Sequence, residues 1–65
     1  MVSSFTPELI RLLREAACRF ERQGKGDHGI WFSPLTNVRL PVDSKIKSWH
    51  TANAMLRQAG LPKHF

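Results

Sequence analysis

Residues 23–32 read QGKGDHGIWF, and one side chain in them can move a proton near neutral pH. His28 follows a loop in which Gly24 and Gly26 bracket Lys25, and it opens an apolar run. An imidazole titrates near neutrality, which suits it to general acid–base work. A histidine beside a flexible basic loop is a candidate for proton transfer on a phosphate backbone. The plainer reading makes the glycines a hairpin and His28 a polar residue on its rim. His50 is the second candidate acid or base, at the start of the last helix, where free N–H groups also favour anions. As an alternative it is simply an exposed helix-start residue. His64, near the end of the sequence, is given no role.

Phosphate contacts need cations. The chain carries ten Lys and Arg against five acids, a net charge of +5. Residues 1–36 hold five basic and four acidic side chains, whereas residues 37–65 hold five basic side chains and only Asp43. Such a bias suits a polyanion, most simply nucleic acid, or is merely a soluble basic surface. Lys25 and Gly26 in the loop, with Arg39, Lys45 and Lys47 further on, are the candidate nucleic-acid contacts. The competing readings are hairpin chemistry for the loop and solvated surface for the lysines. Asp27 precedes His28 on an extended chain, so its side chain points the other way and caps the loop rather than orienting the imidazole. Trp49 could stack on a base, meet a protein partner or pack over the end of a sheet.

Sixty-five residues make one domain, 1–65, with a small core. No apolar run is long enough for a membrane span, and the N-terminal stretch MVSSFTPEL lacks the pattern of an export signal. The single cysteine, Cys18, cannot form an internal disulfide, which fits a reducing, cytoplasmic setting. No cluster of Cys, His and acids has metal-ligand spacing, so no metal or other cofactor is expected.

The elements that must position these groups follow from periodicity and turn chemistry. Thr6-Pro7-Glu8 starts a helix over residues 7–17, with Thr6 as N-cap and Leu9, Ile10, Leu12, Leu13, Ala16 and Ala17 on its apolar face. CRFERQ, 18–23, alternates as a strand. GKGD is a loop, HGIWF (28–32) a second strand, SPLTN a turn, and VRLPV (38–42) a third strand. Pro41 puts that strand at an edge or sits on its unpaired side. DSKIK is a basic connector. A helix capped by Ser48 runs to Ala59, with Ala52, Met55, Leu56 and Ala59 inward, and Gly60 stops it. Residues 62–65 should fray.

The fold class is therefore α+β: a three-stranded antiparallel sheet with two helices on one face, in the manner of double-stranded-RNA-binding domains. The phase of the second strand decides the rest. If the helices cover Ile30 and Phe32, His28 is drawn inward and Trp31 is exposed. A working histidine must reach its substrate, so the other phase is taken, and Phe20, Trp31, Val38, Leu40 and Val42 enter the core. His28, Ile30 and Phe32 then stand on the open face, the last two as an apolar patch.

The order of GKGDH, LPV and AMLRQAGL, between the two helices and three strands, resembles the HicA toxin family of bacterial toxin–antitoxin pairs. The likeness spans residues 7–61. It implies a double-stranded-RNA-binding-like fold, metal-independent endoribonuclease action on mRNA, and a HicB-type antitoxin as partner. The family's catalytic histidine falls on His28. Asp27 stands where the family commonly has Ser or Gly, and the loop is one residue longer through Gly24. Ile30, Phe32 and Trp49 become candidate antitoxin contacts. A non-catalytic RNA-binding module with the same fold is the alternative function.

Overall fold

A computed structural model describes residues 4–65; the first three residues of the stretch read above for an export signal lie outside the described residues. The order is α1 (Thr6–Glu15), β1 (Arg19–Gln23), β2 (His28–Ser33), β3 (Val38–Asp43) and α2 (Trp49–Gln58). The strands form one antiparallel sheet in the order β1-β2-β3. Pro41 lies on the edge strand β3, where its missing N–H costs no ladder bond to a further strand. No helix among the described residues is long and apolar enough to cross a membrane.

The helices share one face of the sheet. Leu9 and Leu13 of α1 and Ala52, Leu56 and Ala59 at α2 pack with Trp31, Leu40 and Val42 in one buried cluster. Cys18 and Ile46 complete it. Ile10, Leu12, Ala16 and Met55 are half-buried at its rim, and Ala17 is exposed. Trp31 is thus inward, as the choice of phase requires. Phe20 and Val38 face the same way but do not reach the core: they remain 49% and 39% exposed. Both sit on edge strands, and a ten-residue helix spans only about 15 Å, too little to cover the sheet's margins. Phe20 instead lays its ring edge-on against Trp31, at 5.9 Å between centroids.

Thr6 does not cap α1; Phe5 holds that position. The Thr6 hydroxyl donates to the Asp43 carbonyl (3.0 Å) and accepts from the Ile46 N–H (2.9 Å), tying α1 to the β3–α2 connector. Ile46, which sequence reading left in a basic connector, is 3% exposed and anchors it. Ser48 caps α2 as expected, accepting from the Thr51 N–H at 3.4 Å. At the other end Gly60 has φ +86°, and Leu61 donates to the Leu56 carbonyl. Two hydroxyls from the β2–β3 region finish that end. Ser33 donates to the Ala59 carbonyl (2.7 Å) and Thr36 to the Gln58 carbonyl (2.8 Å).

The C-terminal segment is docked rather than frayed. The Asn53 amide donates to the Phe65 carbonyl, and its oxygen accepts from the His64 and Phe65 N–H groups. Phe65 meets Phe5 edge-on, at 5.2 Å between centroids. His64 Nε2 lies 3.1 Å from a Glu8 oxygen. Residue type alone gave no sign of this, because one buried-side asparagine supplies all three hydrogen bonds.

Candidate nucleic-acid interface

Cross-strand partners point to the same face of a sheet, so the register assigns the open face residue by residue. Across it run three rungs. Arg19, Phe32 and Arg39 form one; Arg22, Ile30 and Pro41 the next; His28 and Asp43 the last. His28 is exposed at the mouth of β2, on the face away from both helices.

The loop that delivers it is closed by backbone bonds. Gly24 donates to the His28 carbonyl (2.7 Å), His28 donates to the Lys25 carbonyl (3.2 Å), and the Gln23 amide reaches the Gly26 carbonyl (3.0 Å). Gly26 has φ +60°, a conformation costly for a residue with a Cβ. Gly24 packs closely for a different reason: a Cβ there would stand 2.9 Å from the Ile30 Cδ1, so a larger residue would make the Ile30 side chain shift. The Asp27 carbonyl accepts from the Ser44 N–H (3.2 Å), pinning the loop to the end of β3. Lys25 is exposed on this loop.

Two features of the face escaped sequence reading. The first is Arg22. Strict alternation from Arg19 would turn Arg22 toward the helices. The register shifts between Phe20 and Arg22, and this bulge at Glu21 returns Arg22 to the open face opposite Ile30. The second is the covering of Phe32. Ile30 and Phe32 were expected as an exposed apolar patch, yet both are half-buried. The guanidinium carbons of Arg19 and Arg39 each lie 5.2 Å from the Phe32 ring centroid. Arg39 is held there by Glu21, with Nε 2.7 Å from the carboxylate. The patch is therefore a ring flanked by cations, a surface suited to phosphates and bases together. Only the pairing of three strands brings these residues into one row, and spacing along the chain does not encode that.

The remaining candidates lie elsewhere. His50 is on the helix layer, its ring stacked on Trp49 at 3.5 Å between centroids, and it lines a groove with α2 and the C-terminal segment. It stands on α2 and is not among the rungs of the open face that bears His28. Trp49 is 46% exposed on that same layer, apart from Ile30 and Phe32. Lys45 and Lys47 are exposed on the connector that follows Asp43, beside the His28 end of the sheet. Asp43 shares the last rung with His28, and its carboxylate accepts from the Lys45 N–H (3.2 Å). A groove of about 560 Å³ runs between α1 and the C-terminal segment and includes neither His28 nor any residue of the sheet's open face. Among the described residues, no three His, Cys, Asp or Glu side chains gather closely enough to hold a metal ion.

No family model, curated protein or solved structure matches the chain.

Proposed function

We propose that the chain is an endoribonuclease of the toxin type, cutting mRNA without a metal ion, with His28 as the essential acid or base. One observation carries the reading: an exposed imidazole at the rim of an uncovered sheet face that also bears Arg19, Arg22 and Arg39. RNA brings its own nucleophile, the 2′-OH. The enzyme must take up its proton, protonate the leaving 5′-oxygen and stabilise the negative charge of the phosphorane-like transition state.

His28 supplies one proton step. Arg22, its diagonal neighbour on β1, and Lys25 on the loop supply positive charge near the reacting phosphate. Arg19 and Arg39 continue the row, so that the strand's flanking phosphates lie along the arginines and a base meets the Phe32 ring. Lys45 and Lys47 extend the basic surface at the His28 end. The second proton step falls to His50, to Lys25 or to water. The products are a 2′,3′-cyclic phosphate and a 5′-hydroxyl. The HicA resemblance supplies the biological setting, a cytoplasmic toxin held inactive by a HicB-type antitoxin, and the open face with Ile30 and Phe32 is the surface such a partner would cover.

The test uses the substrate's own chemistry. Purified chain in EDTA should cut an unmodified RNA and leave its 2′-O-methyl counterpart whole. Equal cutting of both would remove the 2′-OH mechanism. Binding of both in a salt-dependent way, with no shortening of either at high protein concentration, would favour the non-catalytic RNA-binding module.

A further inference from the structure

The helix layer carries its own basic groove. Its volume is about 440 Å³, and it is lined by His50, Asn53, Ala54 and Arg57 of α2 and by Leu61, Pro62 and Lys63. Arg57 on α2 and Lys63 on the C-terminal segment both line it, and among the described residues no Asp or Glu does. The groove is built by the docking of the C-terminal segment. The three Asn53 hydrogen bonds hold His64 and Phe65, and Gly60 with φ +86° turns the chain back along α2. Lys63 is thereby fixed with Nζ 5.6 Å from the Trp49 ring centroid. Two cations on one groove, with no acid among its described lining residues, favour an anion there.

We infer that this groove is a second phosphate-binding site, taking the backbone of an RNA strand on Arg57 and Lys63 with His50 beside them. It rests on the RNA reading above and deepens it: the chain grips RNA on both layers, and only the sheet face cuts. RNA is favoured over a small free anion because Lys63 Nζ lies by the Trp49 ring, about 12 Å of helix rise from Arg57, a spacing that suits more than one phosphate, and because Trp49 is exposed for a base to stack on.

A 2′-O-methyl RNA oligonucleotide, which cannot be cut through a 2′-OH, separates binding from cleavage. Trp49 is the exposed one of the two tryptophans, Trp31 being buried, so fluorescence reports on the groove. The oligonucleotide should change Trp49 emission. The double variant Arg57→Gln/Lys63→Gln should bind about tenfold more weakly, with the slope of log K against log salt reduced by about 1.4, or about 0.7 per single-strand contact. Combined with Arg19→Gln, the losses should multiply, as for independent sites. An unchanged affinity and slope in the double variant would overturn the groove alone. A response to inorganic phosphate but not to the oligonucleotide would overturn the RNA assignment of the groove. Failure of the wild-type chain to bind the oligonucleotide would overturn both RNA surfaces, whereas binding without cutting of unmodified RNA would overturn only the nuclease reading.

Discussion

An imidazole can transfer protons to a substrate only where the substrate reaches it, and the position of His28 follows from the period-two alternation of β2. The phase follows from the need for His28 to meet a substrate, and Trp31, three residues further along the strand, then has to face in, where it is buried. Arg22 was not legible, because a bulge is set by pairing and leaves no mark in composition. Its role gives a prediction at this scale. Arg22→Ala should weaken RNA binding and lower the salt slope by about 0.7, with little change in thermal midpoint, since the side chain is exposed. An unchanged slope would mean that the bulge does not serve the ligand. Ser33 gives another. It is fully buried and its hydroxyl satisfies the Ala59 carbonyl, so Ser33→Ala should cost about 1–3 kcal/mol in denaturant unfolding.

At the scale of elements, all five were readable from the chain, and none of their ends moved by more than two residues. The Ser48 cap and the Gly60 stop were correct because each uses local chemistry. The Thr6 cap was not, because a distant partner took the hydroxyl. Thr6→Val keeps the shape and removes both bonds, leaving the Ile46 N–H and the Asp43 carbonyl short of a partner. The loss should be about 1–3 kcal/mol, or roughly 4–8 °C in midpoint per kcal/mol for a domain of this size. The exposed face of α1 adds a pH dependence. Bidentate hydrogen bonding from Arg11, helped by its charge and by His64, holds the Glu8 carboxyl down at about 2 against an ordinary 4.5. A lowered folded-state value stabilises the fold above the ordinary value and is lost as pH falls from about 4.5 toward 2. Unfolding curves should therefore shift to lower stability across that window, and Glu8→Gln should flatten the shift. A wild-type profile as flat as the variant's would mean that the Arg11 pair is formed equally in the unfolded chain.

For the molecule as a whole, a basic chain of 65 residues with a small core has one sheet face committed to the helices and one left open. The layers were legible, since amphipathic helices must cover something. The surface was only half legible. Net charge announced a polyanion, but the gathering of Arg19, Arg22 and Arg39 around Ile30 and Phe32 depends on register across three strands. So small a fold gains stability by mass action from any ligand that binds only the native state. RNA should accordingly raise the thermal midpoint at low salt and lose that effect as salt rises, and a midpoint indifferent to RNA would argue against the open face as its site.

The most direct measurement is end-labelled RNA incubated in EDTA with the wild-type chain and with His28→Ala at matched RNA occupancy. The wild type should yield fragments ending in cyclic phosphate, and the variant should cut at least about a hundredfold more slowly while binding nearly as well. Cutting by the variant at the wild-type rate would contradict the assignment of His28 and, with it, the nuclease built on that residue.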